Sequence, residues 1–514
     1  MIHPDAIKRY LAHIDPDPEI KGAEFNRLCA IIERTTGIPY APQTTPRSYQ
    51  VEAVALQAIT RSTALFFAPR RGKTKASLDS AEHLRRAGLW KGKGIVIVPS
   101  PLLLHVWEAE IAKHSRLRGV VVRSNIEELS SATFTAECDL VIIAWSTLQV
   151  IFSTKQKNDK GRFELLPNRA LLRHYAPLFH LAIIDELHTI GTSAALRFLI
   201  ARELLSHCVY RSGLTGTPIG RDPFKLWEQY YVLDQGQTLG ATRYFFTQAF
   251  GKRVINKFSP SGFEHKFDER KLPLLQQKIA HMTLSYGLET FNSTVIRGKI
   301  ELQMVGEQRK HYRAAIAKAI KQRDDGLAKE PTFQLLRQIS SGWMPYLDSE
   351  NTRRVHEFES SKTQWLIEFL DNFPRGAKFI LFNEFIQTGD MLSRLLTKHA
   401  IPHTRIYGGT STKEANLALD RFANGDVDWI VANTQKACMG ISLHAADYML
   451  FYESPCSPKI RTQAEARPIG PARDGRDLFI DDFVTSPVER KIVQFVQEGF
   501  EVSGALFKWE DIGV

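Results

Sequence analysis

Short apolar runs alternate with longer amphipathic segments twice along this chain, and that pattern leaves few folds open. In the first block the runs are Ala64–Ala68, Gly94–Pro99, Leu140–Ala144, Leu181–Asp185 and Tyr210–Leu214. In the second they are Lys378–Phe382, Thr404–Tyr407, Trp429–Ala432 and Tyr448–Tyr452. A strand that is apolar on both faces must be covered on both, and a helix after each strand supplies that cover. The alternation therefore predicts an α/β fold class: two parallel-sheet domains with a cleft between them. Between the blocks, residues 236–350 read as a mainly helical insert, as in EQRKHYRAAIAKAIKQRDD. Residues 1–44 read as a short helical N-terminal extension, leading into the loop PYAPQTTPRS. The expected division is 1–44, 45–235, 236–350, 351–500 and a tail at 501–514.

A chain of 514 residues exceeds one ordinary core, in keeping with that division. The net charge of +11 suits a polyanionic partner, because neutralised phosphates release counterions; it also suits a merely basic enzyme. The five cysteines form no CxxC pair, so neither a zinc ribbon nor a disulfide framework is expected. No apolar run is long enough to span a bilayer, and MIHPDAIKRY lacks the apolar core of a signal peptide. The expected setting is soluble and cytoplasmic.

The chemistry concentrates in FFAPRRGKTKASLDSAEHL, which follows one apolar run and opens an amphipathic segment. Gly72, Lys73 and Thr74 form the tail of a phosphate-binding loop. Backbone N–H groups at a helix N-terminus cradle phosphates, Lys73 pairs with the β- and γ-phosphates, and the Thr74 hydroxyl ligates Mg²⁺. Phe67 stands where the general pattern has its first glycine, so a surface loop is the alternative. About 110 residues further on, an apolar run delivers Asp185 and Glu186. Asp185 suits Mg²⁺, and Glu186 suits orienting and deprotonating a water. A capping cluster at a strand-to-helix turn is the bland alternative.

The order of these segments resembles the SNF2-like translocases of helicase superfamily 2. Arg47-Ser48-Tyr49-Gln50 resembles the Q motif, where the glutamine reads adenine. VPSPLLLHVWEAEI, with Trp107 and Glu110, is similar to motif Ia, and AWSTL to motif Ib. DELH resembles motif II, and Leu214-Thr215-Gly216-Thr217-Pro218 has the LTGTP form of motif III. In the second block, KFILFNEF resembles motif IV, IYGGTSTKEANLALDRFANG the segment after it, and Met439–Leu443 motif V. QAEAR, ending at Arg467, resembles the start of motif VI, and FVTSPVERKIVQFV is similar to the closing segment.

That resemblance implies two RecA-like domains that bind ATP and Mg²⁺ and move along DNA, duplex or branched, with little sequence specificity. ATP contacts are implied for Arg47, Gln50, Gly72, Lys73, Thr74 and Gly440, and Mg²⁺ contacts for Thr74 and Asp185. Catalytic parts are implied for Lys73, Glu186 and Arg467. Phosphate contacts to nucleic acid are implied for Ser100, Ser146, Thr147, Gly409 and Thr434, each of which also suits a cap or a turn. Two departures stand out. Arg70 and Arg71 replace a glycine-rich stretch, and read as solvent-facing or as phosphate contacts. Gly470 replaces a second motif VI arginine, leaving Arg473 or Arg476 as substitutes or the ATPase weakened. An RNA helicase and a nucleic-acid-binding protein with a weakened ATPase are the alternative readings.

Overall fold

The computed structural model describes residues 23–68, 71–157, 162–216, 218, 223–255, 263–286, 295–323, 329–372, 376–437, 443–469 and 477–498. The chain divides into two compact units, 1–289 and 290–514. No helix among the described residues is long and apolar enough to cross a membrane.

The first unit is built on seven parallel strands. Their order is Thr283–Tyr286, Ser62–Phe67, Tyr210–Leu214, Phe179–Asp185, Lys93–Val98, Leu140–Ala144 and Gly119–Val122. Side chains alternate between two buried layers, as a doubly covered sheet requires. Ile95, Ile97 and Ile143 enter one cluster with Phe179 and Tyr230, whereas Val96, Val98 and Ile142 enter another with Trp90 and Trp107. All five expected strands are present within two residues of the predicted bounds. Thr283–Tyr286 and Gly119–Val122 escaped the sequence reading. The first is four residues long, and the second is only partly buried over most of its length.

The second unit has six parallel strands, ordered Val295–Glu301, Leu478–Val484, Tyr448–Phe451, Phe379–Asn383, Trp429–Asn433 and His403–Ile406. Its four expected strands are all present. Residues 236–350 contain helices Arg243–Phe250, Leu272–Ile279, Gly306–Arg323 and Lys329–Ser340. They also contribute an edge strand to each sheet and three hairpin strands, Gly251–Ile255, Phe263–Phe267 and Trp343–Leu347. The hairpins lie largely open to solvent, so period-2 burial never marked them.

A buried ion pair helps brace the second unit. Lys362, fully buried, bonds Glu489 and donates to the Tyr452 carbonyl at 2.6 Å. The other Glu489 oxygen accepts from Thr485 N at 2.8 Å and Thr485 Oγ1 at 2.9 Å. Two residues of the closing segment are thus explained: Glu489 neutralises a lysine that cannot reach water, and Thr485 fixes the carboxylate that does so.

The N-terminal extension is part of the first unit. Helix Ala23–Thr36 packs Leu28 and Ile32 against Val51, Val54 and Ala55 of helix Ser48–Thr60. From there the chain runs along helix Lys73–Arg86. Tyr40 donates to Asp79 at 3.1 Å, Lys75 donates to the Thr44 carbonyl at 3.0 Å, and Thr36 Oγ1 lies 2.8 Å from His83 Nε2.

Burial, then the charge of Arg86, depresses the pKa of His83 from 6.5 to about 4. Between those values the unfolded chain binds a proton that the folded chain refuses, so stability falls as the pH drops from about 6.5 towards 4. This one group accounts for about 3 kcal/mol at most. His114 is depressed to about 4 in the same way, by burial and then by Lys75 and Lys113. Melting temperature measured across this window is expected to decline in the parent chain and to decline less in His83→Gln. Equal slopes would exclude His83 from the linkage.

Candidate active site

The loop after strand Ser62–Phe67 turns sharply into helix Lys73–Arg86. Gly72 makes the turn in the left-handed region, φ 68°, as the N-cap of that helix. Its carbonyl accepts from Gln50 Nε2 at 3.2 Å, and a Cβ on Gly72 would sit 2.3 Å from that nitrogen. Any larger residue would meet both the steric cost of left-handed backbone and this close approach. Gln50 is buried, and its oxygen accepts from the Arg47 backbone N–H at 2.8 Å. Arg47 also donates through its guanidinium to Tyr49 Oη at 3.0 Å. The Q motif and the phosphate loop are therefore one bonded unit.

Lys73 donates to the carbonyl of Phe67 at 2.8 Å. The ammonium thus lies at the carboxyl end of the strand that precedes its loop. Thr74 is partly exposed in the first turn of the same helix. Arg71, expected at the surface or on a phosphate, is buried with its guanidinium 5.3 Å from the Tyr49 ring centre. A planar cation covers an aromatic face at little cost, which accounts for an arginine at this buried place.

Strand Phe179–Asp185 ends with Asp185, which is held on both oxygens. Trp107 Nε1 donates to Oδ2 at 3.0 Å, and the Glu186 backbone N–H donates to Oδ1 at 2.9 Å. Glu186 adopts left-handed backbone, φ 48°, although it carries a long side chain. Such strain persists only where surroundings enforce it. Here they do. Thr215 Oγ1 donates to Glu186 Oε2 at 3.5 Å, and His188 Nδ1 lies 3.2 Å from the same oxygen and 2.7 Å from Thr215 Oγ1. Thr215 follows strand Tyr210–Leu214 and donates its N–H to the Leu65 carbonyl. A Cβ on Gly213 would meet Leu187 at 2.5 Å, so this glycine lets the turn after Glu186 settle on the sheet. The linking parts of Trp107, His188 and Thr215 were not read from sequence. Only their motif membership was visible, because the partners lie up to 78 residues apart.

Three adjacent strands thus present Lys73, Thr215 and the Asp185–Glu186 pair at one edge of the sheet. A cation, an acid pair and an αL turn capping a helix fit a polyphosphate with a divalent ion.

The remaining candidates divide. Ser146 and Gly409 are exposed. Ser100 is buried and caps a helical turn, accepting from Leu102 N at 3.3 Å. Thr147 donates to the Arg123 carbonyl at 3.1 Å, and Thr434 donates to that of Asn383 at 3.3 Å; both are buried. These three hydroxyls perform the capping and bonding roles set beside the nucleic-acid reading. Arg467 is half-buried after helix Pro458–Glu465, and its carbonyl accepts from Leu443 N at 3.3 Å. Gly440, Arg473, Arg476 and Arg70 lie outside the described residues.

The strain at Glu186 is open to measurement. Glu186→Gly is expected to raise folding stability by about 1 kcal/mol, read by denaturant unfolding of the chain. A loss of stability would mean that the bonds of Glu186 to Thr215 and His188 outweigh its backbone cost.

Residues 10–339 match the family model described as the SNF2-related domain, and residues 361–469 match the helicase conserved C-terminal domain. Putative protein p41 of Acyrthosiphon pisum secondary endosymbiont phage 1 is 24% identical over 475 residues, covering 87% of this chain and 95% of that protein. Helicase swr1 of Schizosaccharomyces pombe is 29% identical over 126 residues, 24% of this chain. Chromodomain-helicase-DNA-binding protein 7 of Gallus gallus is 26% identical over 314 residues, 55% of this chain. The chain spans only 10% of the length of each of these last two. Among solved structures, the Sulfolobus solfataricus SWI2/SNF2 ATPase core in complex with dsDNA is similar at 18% identity and a TM-score of 0.39, covering 90% of this chain and 92% of that one.

Proposed function

The chain belongs to the SNF2-related family of superfamily 2 helicases, and on that premise we propose that it is a DNA-stimulated ATPase that moves along duplex or branched DNA. The observation that carries the reading is the convergence of Lys73, Thr215, Asp185 and Glu186 at the carboxyl edge of three adjacent parallel strands. Ligands of open α/β sheets bind at that edge.

Each residue then has a part. Gly72 and the N-terminus of helix Lys73–Arg86 receive phosphate oxygens on backbone N–H groups. Lys73 exchanges its carbonyl partner for the β- and γ-phosphates. Thr74 and Asp185 would hold Mg²⁺, which neutralises charge on the phosphates when bound. Trp107 keeps the Asp185 carboxylate in place. Glu186 orients the attacking water and takes its proton, with Thr215 and His188 fixing the carboxylate. Gln50 and Arg47 serve the adenine side, and Gly440 is assigned to the nucleotide by resemblance. Arg467 is the second unit's residue assigned to hydrolysis, with Arg473 as substitute for the arginine absent at Gly470.

DNA as the track is supported by the motif III form and by relatives named as helicases and DNA-binding proteins. Ser146 and Gly409 are the exposed candidates for backbone contact. We assign residues 45–235 and 351–500 to the two motor domains, each sheet completed by an edge strand from 236–350, and a DNA-associated cytoplasmic setting, which suits the phage relative.

Three substitutions and the dependence on nucleic acid test this reading. Lys73→Ala is expected to weaken nucleotide binding, whereas Glu186→Gln binds ATP and fails to hydrolyse it, with Arg467→Ala slowing single-turnover hydrolysis more than it weakens binding. Near-normal turnover in Glu186→Gln would remove Glu186 from the chemistry.

The ATPase rate is expected to rise with duplex or forked DNA, and that stimulation to fall with salt, linearly on logarithmic axes. Stimulation by RNA alone would favour the RNA helicase reading. Indifference to every nucleic acid would remove the motor.

A further inference from the structure

Away from every residue discussed above, the second unit gathers two imidazoles and a carboxylate. Glu307 and His311 lie one turn apart on helix Gly306–Arg323, and His356 comes from the hairpin strand Arg353–Glu357. Both imidazoles aim Nε2 at one oxygen. His311 Nε2 is 3.1 Å and His356 Nε2 is 2.8 Å from Glu307 Oε1. All three ligand atoms lie within 4.8 Å of one another.

We propose that Glu307, His311 and His356 form a binding site for a divalent transition-metal ion, Zn²⁺ or a near relative. The geometry is close to what such an ion demands. Zinc bonds of about 2.0–2.2 Å in a tetrahedron place neighbouring ligand atoms about 3.3 Å apart. The two separations of 3.1 and 2.8 Å need to grow by only a few tenths of an ångström. Two imidazole nitrogens and one carboxylate select borderline ions such as Zn²⁺, Co²⁺ or Ni²⁺ over Mg²⁺ and Ca²⁺. The set is therefore separate in chemistry from the Mg²⁺ site at Asp185.

The ligands stand on supports that are already fixed. Beside Glu307, Gln308 is fully buried: its amide donates to the Ser340 carbonyl at 3.0 Å and accepts from Ser361 N at 3.2 Å. His311 lies with its ring centre 5.0 Å from that of Phe358, which packs in the cluster with Met304, Tyr312 and Phe333. His356 pairs with Met344 across the hairpin. A bound ion staples the first turn of the helix to this hairpin, with an open coordination position facing solvent. Glu307 is exposed and the two histidines only partly covered, so an ion reaches them without opening the fold.

The full chain, stripped with EDTA and dialysed, is titrated with ZnCl₂ by calorimetry and with CoCl₂ by visible absorption. One saturable site per chain at micromolar metal is expected, with Co²⁺ bands free of thiolate charge transfer. Glu307→Gln weakens binding about ten-fold or more, and the His311→Ala, His356→Ala double variant loses it. Zn²⁺ raises the melting temperature of the parent and not of the double variant. In the unsubstituted chain, Zn²⁺ shields His311 and His356 from diethyl pyrocarbonate, which repeats the test without a mutation. No saturable binding, unchanged binding in the double variant, or a thiolate band would overturn the site.

Discussion

Parallel strands all deliver their carboxyl ends to one edge, and the first unit depends on that constraint. Strand Ser62–Phe67 ends where Lys73 returns to bond its last carbonyl. Strand Tyr210–Leu214 ends one residue before Thr215, and strand Phe179–Asp185 ends with the acid that Trp107 holds. Residues more than a hundred positions apart meet because the sheet leaves them nowhere else to emerge. An antiparallel sheet of the same strands would send half of them to the opposite edge.

That edge is maintained against local preference. Gly72 adopts left-handed backbone at no steric cost, but Glu186 pays for it. What holds Glu186 is Thr215, at the end of the neighbouring strand, together with His188 in its own turn, so its geometry depends on the adjacent strand as well as on local sequence. The helix behind the phosphate loop is braced too. Tyr40, Thr36 and Thr44 of the N-terminal segment bond Asp79, His83 and Lys75 on it. Lys75 and Asp79 are themselves a buried pair at 2.7 Å. A segment that reads from sequence as an appendage is the rear support of the loop.

Legibility followed burial. Seven of the nine expected strands were visible because nearly continuous apolar runs fit a doubly covered sheet, whereas Tyr210–Leu214 and Thr404–Tyr407 carry no such run. Edge strands such as Val295–Glu301 and hairpins such as Arg353–Glu357 carry mixed, exposed side chains, and no periodicity marks them. At the site, Gly72, Lys73, Asp185 and Glu186 were legible because each stands in a short local pattern, a Gly-Lys-Thr turn and an acid pair closing an apolar run. Trp107 on Asp185 and His188 on Thr215 were not, since a tertiary hydrogen bond leaves no trace in local spacing. Arg71 shows the opposite error: charge suggests surface, yet a guanidinium over Tyr49 is buried.

Arg71 also bears on what a net charge of +11 can mean. Several arginines are committed inside the fold. Arg211 is buried and donates to the carbonyls of Leu205, Ser206 and Leu233. Burial lowers the pKa of Arg211, as it must for a cation held largely by dipoles. Carbonyl oxygens satisfy a guanidinium without cancelling its charge. Such residues therefore add to the formal excess while contributing no counterion-displacing contact at the surface. Arg461, in contrast, is bidentate on Asp482 and bonded to Glu465, so it is neutralised where it stands. The charge that a phosphate backbone meets is set by exposed lysines and arginines alone, and the salt dependence of binding counts those contacts rather than the sum over the sequence.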